Sequence, residues 1–210
     1  MRYKHIVFDL DGTLLDTAET ALSCLQRTLN EVLGKKIPMD ELRPLFGIPC
    51  HEIAQMYHVP DVEYTVKMWQ EYDRQEKGDV KPFDGVIELL DLLKEQGYVL
   101  GLVTSRSRKE INEQLPMFSL ENYFSTIIGS DDTVLRKPFP DPLLKYIEIS
   151  MIGKEKVLYI GDSRHDMECA SAAGIDCGLA LWGFISGAER PEATYYFSQP
   201  SNIVNVLSEE

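Results

Sequence analysis

Residues 3–8 form a short apolar run that ends abruptly in Asp9-Leu10-Asp11-Gly12-Thr13, and the next run of the same kind, residues 98–104, lies far along the chain. A buried strand followed by a glycine turn opens a strand-helix unit. What constrains the fold is the distance to the second strand. A helical excursion of about 65 residues, from Asp16 to residue 81, between the first and second strands is too long for the crossover of a single βαβ unit. That stretch is therefore expected to fold as a helical lobe of its own.

Its residues agree. From Asp16 onward, Ala18, Ala21, Leu22, Leu25, Leu29, Val32 and Leu33 fall on one face at helical spacing, with Gly34 placed to close the helix. Residues 35–81 read as helical throughout, with Asp40 and Asp61 as N-caps, breaks near Pro38, Pro49 and Pro60, and no strand pattern. An α/β rhythm resumes at Pro82-Phe83-Asp84-Gly85. It runs through a helix over 86–96 closed by Gly97, then strands over 98–104, 124–129, 156–161, 175–181 and 195–197, each separated by a helical segment. This alternation predicts an α/β fold, a parallel sheet covered by helices on both faces.

Composition narrows the function classes. The 210 residues are 44% hydrophobic and 10% aromatic, enough for one packed core with an appendage and contrary to intrinsic disorder. A net charge of −13 repels polyanions, so neither nucleic acid nor an anionic membrane surface is an expected partner. Cys24, Cys50, Cys169 and Cys177 show no metal or redox spacing and imply a reduced, intracellular chain. The N-terminal segment passes directly into a strand without a signal-peptide core, and no run of about 18 apolar residues occurs. The cytoplasm is the expected location, and nothing points to a particular oligomeric state.

Ligands in open α/β sheets bind beyond the carboxyl ends of the strands, so the residues that follow each strand carry the chemistry. The first strand ends in Asp9 and Asp11, the second in Thr104-Ser105-Arg106, the segment after the third contains Arg136-Lys137-Pro138, and the fourth ends in Gly161-Asp162-Ser163-Arg164-His165-Asp166. Four carboxylates, a hydroxyl and a lysine thus converge on one rim. Asp9 and Asp11, two apart at a strand end, project to the same side and repel each other. A hard divalent ion, with Mg2+ the natural choice, suits the oxygen set of Asp9, Asp11 and Asp162, and Lys137 adds a fixed positive charge. With both in place a phosphate can approach the Asp9 carboxylate.

These four segments resemble, in order, the four motifs of the haloacid dehalogenase superfamily, phosphatase branch. Asp9–Asp16 looks like the first motif, Thr104 the second, Lys137–Asp141 the third and Gly161–Asp166 the fourth. The resemblance implies a Rossmann-like core of residues 1–14 and 83–210 and a helical cap of residues 15–82 inserted after the first strand. It also implies a phosphoric monoester hydrolase acting on a small phosphorylated metabolite. Asp9 would be the nucleophile forming an aspartyl-phosphate, and Asp11 the general acid/base, an acid that dehalogenating members lack. Thr104 would hold phosphate oxygens beside Lys137. Mg2+ would be held by Asp9, Asp162 and the Asp11 carbonyl, with Asp166 orienting a coordinated water from the second rank. Ser105, Arg106 and Gly47, the last in the turn Arg43–Pro49, are the expected substrate contacts. His165 reads as a surface residue.

The tail, Leu181-Trp182-Gly183-Phe184 and Ala193–Phe197, resembles that of phosphoglycolate phosphatase-like members. Ser105-Arg106 departs from the more usual asparagine-lysine pair, and Phe139 is bulky for its place in the third motif. A sugar-phosphate mutase of the β-phosphoglucomutase kind and an inorganic pyrophosphatase share the same site. A non-catalytic phosphate-binding regulatory protein is the alternative of another class.

Overall fold

The computed structural model describes residues 2–46, 48, 50–75, 80–184 and 190–208. In chain order the strands are β1 (His5–Phe8), β2 (Leu15–Asp16), β3 (Lys81–Pro82), β4 (Val99–Val103), β5 (Thr126–Ile128), β6 (Val157–Gly161), β7 (Asp176–Ala180) and β8 (Tyr195–Phe197). The helices are α1 (Ala18–Leu33), α2 (Met39–Leu42), α3 (Cys50–Met56), α4 (Val62–Gln75), α5 (Val86–Glu95), α6 (Arg108–Met117), α7 (Asp141–Ser150), α8 (Arg164–Ala173) and α9 (Asn202–Ser208). They fall into two compact units, one built from Met1–Asp16, Lys81–Phe184 and Arg190–Glu210, the other mainly from Thr17–Val80.

The first unit is the expected α/β body. Six strands form one sheet in the order β5-β4-β1-β6-β7-β8, each neighbouring pair parallel. Both faces are covered, which is why the strands read as unbroken apolar runs. On one side Val7, Tyr159 and Leu179 join Leu143 and Tyr146 of α7 and Met167 and Ala170 of α8 in a single core. Residues of the alternate parity, Ile6, Phe8, Leu158 and Ile160, are fully buried as well. Their side chains point to the opposite face. There α5 packs near β4 and buries Val86, Leu89, Leu90 and Leu93.

The second unit has a core of its own. Leu22, Leu25 and Leu29 of α1 pack with Ile37, Leu42, Cys50, Ile53, Ala54 and Val59. Gly34 closes α1 in the left-handed conformation at φ 63°. Arg27 lies over the ring of Tyr72 at 3.8 Å, and the Tyr72 hydroxyl donates to Glu31, tying α4 to α1.

Two local expectations are corrected. Asp40 does not cap a helix: α2 begins at Met39 behind Pro38, whose fixed φ suits that place, so Asp40 sits inside the first turn. Asp61 does cap α4, accepting from the Tyr64 amide at 2.9 Å. The stretch 35–81 also ends in a strand residue, because Lys81–Pro82 pairs antiparallel with Leu15–Asp16. A two-residue ribbon is too short to leave a period in the sequence. It belongs to the first unit, so the units divide at Asp16 and Lys81. Among the described residues no helix is long and apolar enough to cross a membrane, and all four cysteines are buried.

Candidate active site

The site grows out of the centre of the sheet. β1 lies between β4 and β6, and the sequence leaves it for β4 and β5 on one side and for β6, β7 and β8 on the other, the arrangement that opens a crevice at the strand carboxyl ends. The Asp9 amide donates to the Ile160 carbonyl at 2.8 Å, so the ladder between β1 and β6 continues up to Asp9. Thr104 follows β4 and Asp162 follows β6, which sets them on either side of Asp9.

The loop after Asp9 is held from several directions. The amides of Leu14 and Leu15 both donate to the Leu10 carbonyl at 2.9 Å, and the Gly12 amide donates to Leu15 at 2.8 Å. Gly12 adopts φ 77°, and a Cβ there would collide with the Asp162 carboxylate, so only glycine suits this turn. Thr13, fully buried, donates its hydroxyl to Asp162 Oδ1 at 3.1 Å. From the segment after β7 the Trp182 indole donates to the Thr13 carbonyl at 2.9 Å, while Gly183 lies so close to the Gly12 carbonyl that a side chain there has no room.

Asp9, Asp162 and Asp166 each offer an oxygen within 4.8 Å of the others, and all three are buried. Lys137 is set among them, its side chain 5% exposed, with Nζ 2.9 Å from Asp9 Oδ1 and 2.6 Å from Asp166 Oδ1. Asp166 has no oxygen to spare. Its Oδ1 accepts from Lys137 and the Tyr159 hydroxyl, and its Oδ2 accepts from the amide and hydroxyl of Ser163 in the capping box of α8. Asp166 thus caps α8 and pairs with Lys137 at once. That saturation suits a residue that holds Lys137 and the α8 terminus in place.

Electrostatics separate the three acids. Burial pushes the Asp9 carboxyl up to about 7, against the opposing charge of Lys137 and with the help of Asp166 and Asp11. Asp162 is raised well above the usual carboxylate range, by burial first and then by Asp166 and Asp9. Burial presses Asp166 the same way, but Lys137 and the hydrogen bonds of Ser163 and Tyr159 outweigh it and hold it below its ordinary value. Lys137 stays charged, since the two neighbouring carboxylates overcome its desolvation.

This donor set fits a hard cation. Asp9 Oδ1 is buried and faces the Lys137 ammonium at 2.9 Å. Two of the three carboxylates carry raised pKa values, from burial first and from the neighbouring carboxylates after it. An oxygen-only cluster of this kind matches Mg2+ better than a transition metal.

A pH dependence follows. In metal-free protein Asp9 and Asp162 keep protons that the unfolded chain releases near pH 4. The stabilisation this gives is full below about pH 4 and is lost as pH rises through about 7 for Asp9. The melting temperature of metal-free protein is expected to fall from pH 5 to pH 8, and the rise on adding Mg2+ to be larger at pH 8. His5, lowered by burial, works in the opposite sense below its ordinary value. The decisive comparison is therefore with Asp9→Asn, whose fall over the same range should be shallower; an equal slope would contradict this account.

The remaining expected residues are placed as follows. Thr104 is buried and its Oγ1 accepts from the Arg106 amide at 3.2 Å, leaving its hydroxyl proton to give. Ser105 is exposed on the rim. Arg106 faces Asp11 and donates from Nε to Oδ2 at 2.7 Å and from Nη2 to Oδ1 at 2.9 Å. Gly47 lies outside the described residues; before it, Arg43–Leu45 makes one 3-10 turn, and Arg43 pairs with Glu19. Phe139 is about half exposed.

Two residues escaped the sequence reading. Tyr159 lies fully buried in β6 beneath the site, donating to Asp166 at 2.7 Å; as an aromatic in an apolar strand it carried no signal beyond its hydroxyl. Trp182 stood only in a family-like tail. Trp182→Phe keeps an aromatic ring and removes one hydrogen bond to the loop that follows Asp9, a change of about 1 kcal/mol. We expect kcat to drop by about 5- to 10-fold, with KM near that of the native protein, in steady-state phosphate release. An unchanged kcat would deny the indole any hold on the loop.

Comparison with known proteins agrees with this geometry. Residues 6–180 match the family model described as haloacid dehalogenase-like hydrolase. The chain belongs to that family, and the company it keeps there makes it an enzyme of the phosphatase kind. A protein of Caldanaerobacter subterraneus subsp. tengcongensis provisionally named pyrophosphatase PpaX is 33% identical over 186 residues, covering 88% of this chain and 84% of that one. Pyrophosphatase PpaX of Bacillus mycoides is 28% identical over 211 residues, covering 99% and 98%. Among solved structures, a protein of Lactobacillus plantarum provisionally named a phosphoglycolate phosphatase superposes with a TM-score of 0.90 at 25% identity, covering 98% of this chain and 100% of that one.

Proposed function

We propose that this chain is a Mg2+-dependent phosphatase of small phosphate compounds that works through a phosphorylated Asp9. The observation that carries the reading is the buried Asp9 carboxylate, with Oδ1 2.9 Å from Lys137 Nζ and an oxygen within 4.8 Å of oxygens of Asp162 and Asp166. Asp9, Asp162 and the Asp11 carbonyl would hold Mg2+, with Asp166 fixing Lys137 behind them. Bound there, Mg2+ supplies positive charge that offsets the phosphate and the clustered carboxylates.

The chain's own residues account for the rest. Lys137 and the Thr104 hydroxyl hold phosphate oxygens. An Asp9 oxygen attacks phosphorus, the bond from phosphorus to the leaving oxygen breaks, and Asp11 gives that oxygen a proton. Asp11 then takes a proton from water as the water attacks the aspartyl-phosphate. Phosphate leaves and the Asp9 carboxylate is restored. Phosphoryl transfer asks a protein mainly for positioning and charge, which this cluster provides.

A panel of phosphoglycolate, pyrophosphate and hexose phosphates, assayed for Mg2+-dependent phosphate release, tests the reading. Isomerised sugar phosphate without free phosphate would mark a mutase, and binding without hydrolysis a regulatory protein. The names of the relatives favour pyrophosphate and phosphoglycolate as the first two compounds. Hydrolysis in ¹⁸O-water should place the label in the released phosphate.

A further inference from the structure

Tyr159 places a phenol in the otherwise aliphatic run Val157-Leu158-Tyr159-Ile160 of β6, and it is fully buried. Its hydroxyl has one proton and two acceptors in reach, Asp166 Oδ1 at 2.7 Å and the Val103 carbonyl at 3.2 Å. The shorter distance and the negative charge direct that proton to Asp166. Burial and the neighbouring carboxylates keep the phenol neutral, so the proton stays in place. Lys137 Nζ stands 2.6 Å from the same Asp166 oxygen and 3.2 Å from the hydroxyl.

One carboxylate oxygen thus serves two donors. It offers two lone pairs, and Tyr159 occupies one of them while the ammonium takes the other. The second oxygen, Oδ2, is engaged by the amide and hydroxyl of Ser163. Asp166 therefore has one direction left in which to receive Lys137, and with Nζ there it lies 2.9 Å from Asp9 Oδ1. Without the hydroxyl, a lone pair of a buried carboxylate would lack a donor, which costs free energy. The space of a single hydroxyl is less than a water molecule needs, and Lys137 is the donor at hand, already 3.2 Å from the missing atom. Among the described residues the hydroxyl bonds Asp166, Val103 and Lys137 but not Asp9, so an ammonium drawn into its place loses Asp9.

We propose that Tyr159 is a positioning residue for phosphoryl transfer: by filling one lone pair of Asp166 it keeps the Lys137 ammonium against Asp9, where the phosphate is received. The inference rests on the phosphatase reading above. Tyr159 itself touches neither Asp9 nor the phosphate, and acts on them only through Asp166 and Lys137.

Tyr159→Phe keeps the ring and drops the oxygen, so the fold should hold, which its melt checks. In a crystal structure of the variant, Nζ should stand about 3.5 Å or more from Asp9 Oδ1, beyond hydrogen-bond reach. Calorimetric titration with inorganic phosphate in the presence of Mg2+ should give a Kd raised about tenfold. For pyrophosphate or phosphoglycolate, whichever the native protein hydrolyses, kcat should fall by about 10- to 100-fold. The affinity for Mg2+, titrated into metal-free protein, should stay level or rise, because an ammonium farther from Asp9 repels the ion less. A general loosening of the site would weaken Mg2+ and phosphate together, and that result overturns the proposal. So does an unmoved Nζ, or a phosphate Kd within about twofold of native. Each of these outcomes leaves the phosphatase reading intact as long as the native protein releases phosphate. Native protein with Mg2+ that hydrolyses no phosphate compound brings down both.

Discussion

Asp9→Asn should fold, bind phosphate, and turn over no substrate, with kcat lowered by about 10⁴-fold or more, equivalent to roughly 5.5 kcal/mol of barrier. The amide keeps the shape of the carboxylate but cannot form the acyl phosphate. Stability should move the other way. Asp9 is buried beside two further carboxylates, and burial raises its pKa to about 7. Removing its charge relieves a cost in metal-free protein at pH 8, so the variant should melt no lower than the native chain under those conditions. Phosphate-release assays with melts followed by circular dichroism check both halves. A variant that lost turnover by unfolding would not bear on the chemistry, and one that kept turnover would end the covalent mechanism.

Lys137→Met is expected to damage both properties together. The ammonium is 2.9 Å from Asp9, 2.6 Å from Asp166 and 3.2 Å from the Tyr159 hydroxyl, in a setting with almost no access to water. Methionine occupies the space of the stem but leaves two buried carboxylates facing each other without a cation. Breaking a buried ion pair from one side costs about 3–5 kcal/mol, which for a chain of this size lowers the melting temperature by about 6–20 °C. Mg2+ should recover part of that loss, since it supplies charge at the same cluster, whereas activity should remain low because Lys137 no longer holds the phosphate oxygens. A melt within about 2 °C of the native value would mean that Lys137 is not the counter-charge the geometry makes it.

Much of this was legible in the chain before any coordinates. The Leu22, Leu25, Leu29 stripe marked α1, and the apolar runs at 98–104 and 156–161 contain β4 and β6, because helix and strand periods are written within a few turns of backbone. Asp9, Thr104, Lys137 and Asp162 could be nominated by standing after strands, since a parallel sheet gathers those ends on one edge. The ribbon of Leu15–Asp16 with Lys81–Pro82 was not legible, as two residues carry no period. Nor was the hydroxyl of Tyr159, which the sequence shows only as one more large apolar side chain in a strand.

Arg106 marks the limit most clearly. Its sequence position put it near phosphate, and its charge made it a substrate contact; the fold set it on Asp11, 95 residues away along the chain. The Trp182 bond to Thr13 closes over 169 residues and the Thr13 bond to Asp162 over 149. The sequence by itself determined the longer elements, their order, and which residues reach the edge of the sheet, because those follow from local dihedral preferences and hydrophobic period. Tertiary structure alone decided which cation neutralises which carboxylate, since that depends on distances of a few ångströms between strand ends joined by long, independently folded stretches of chain.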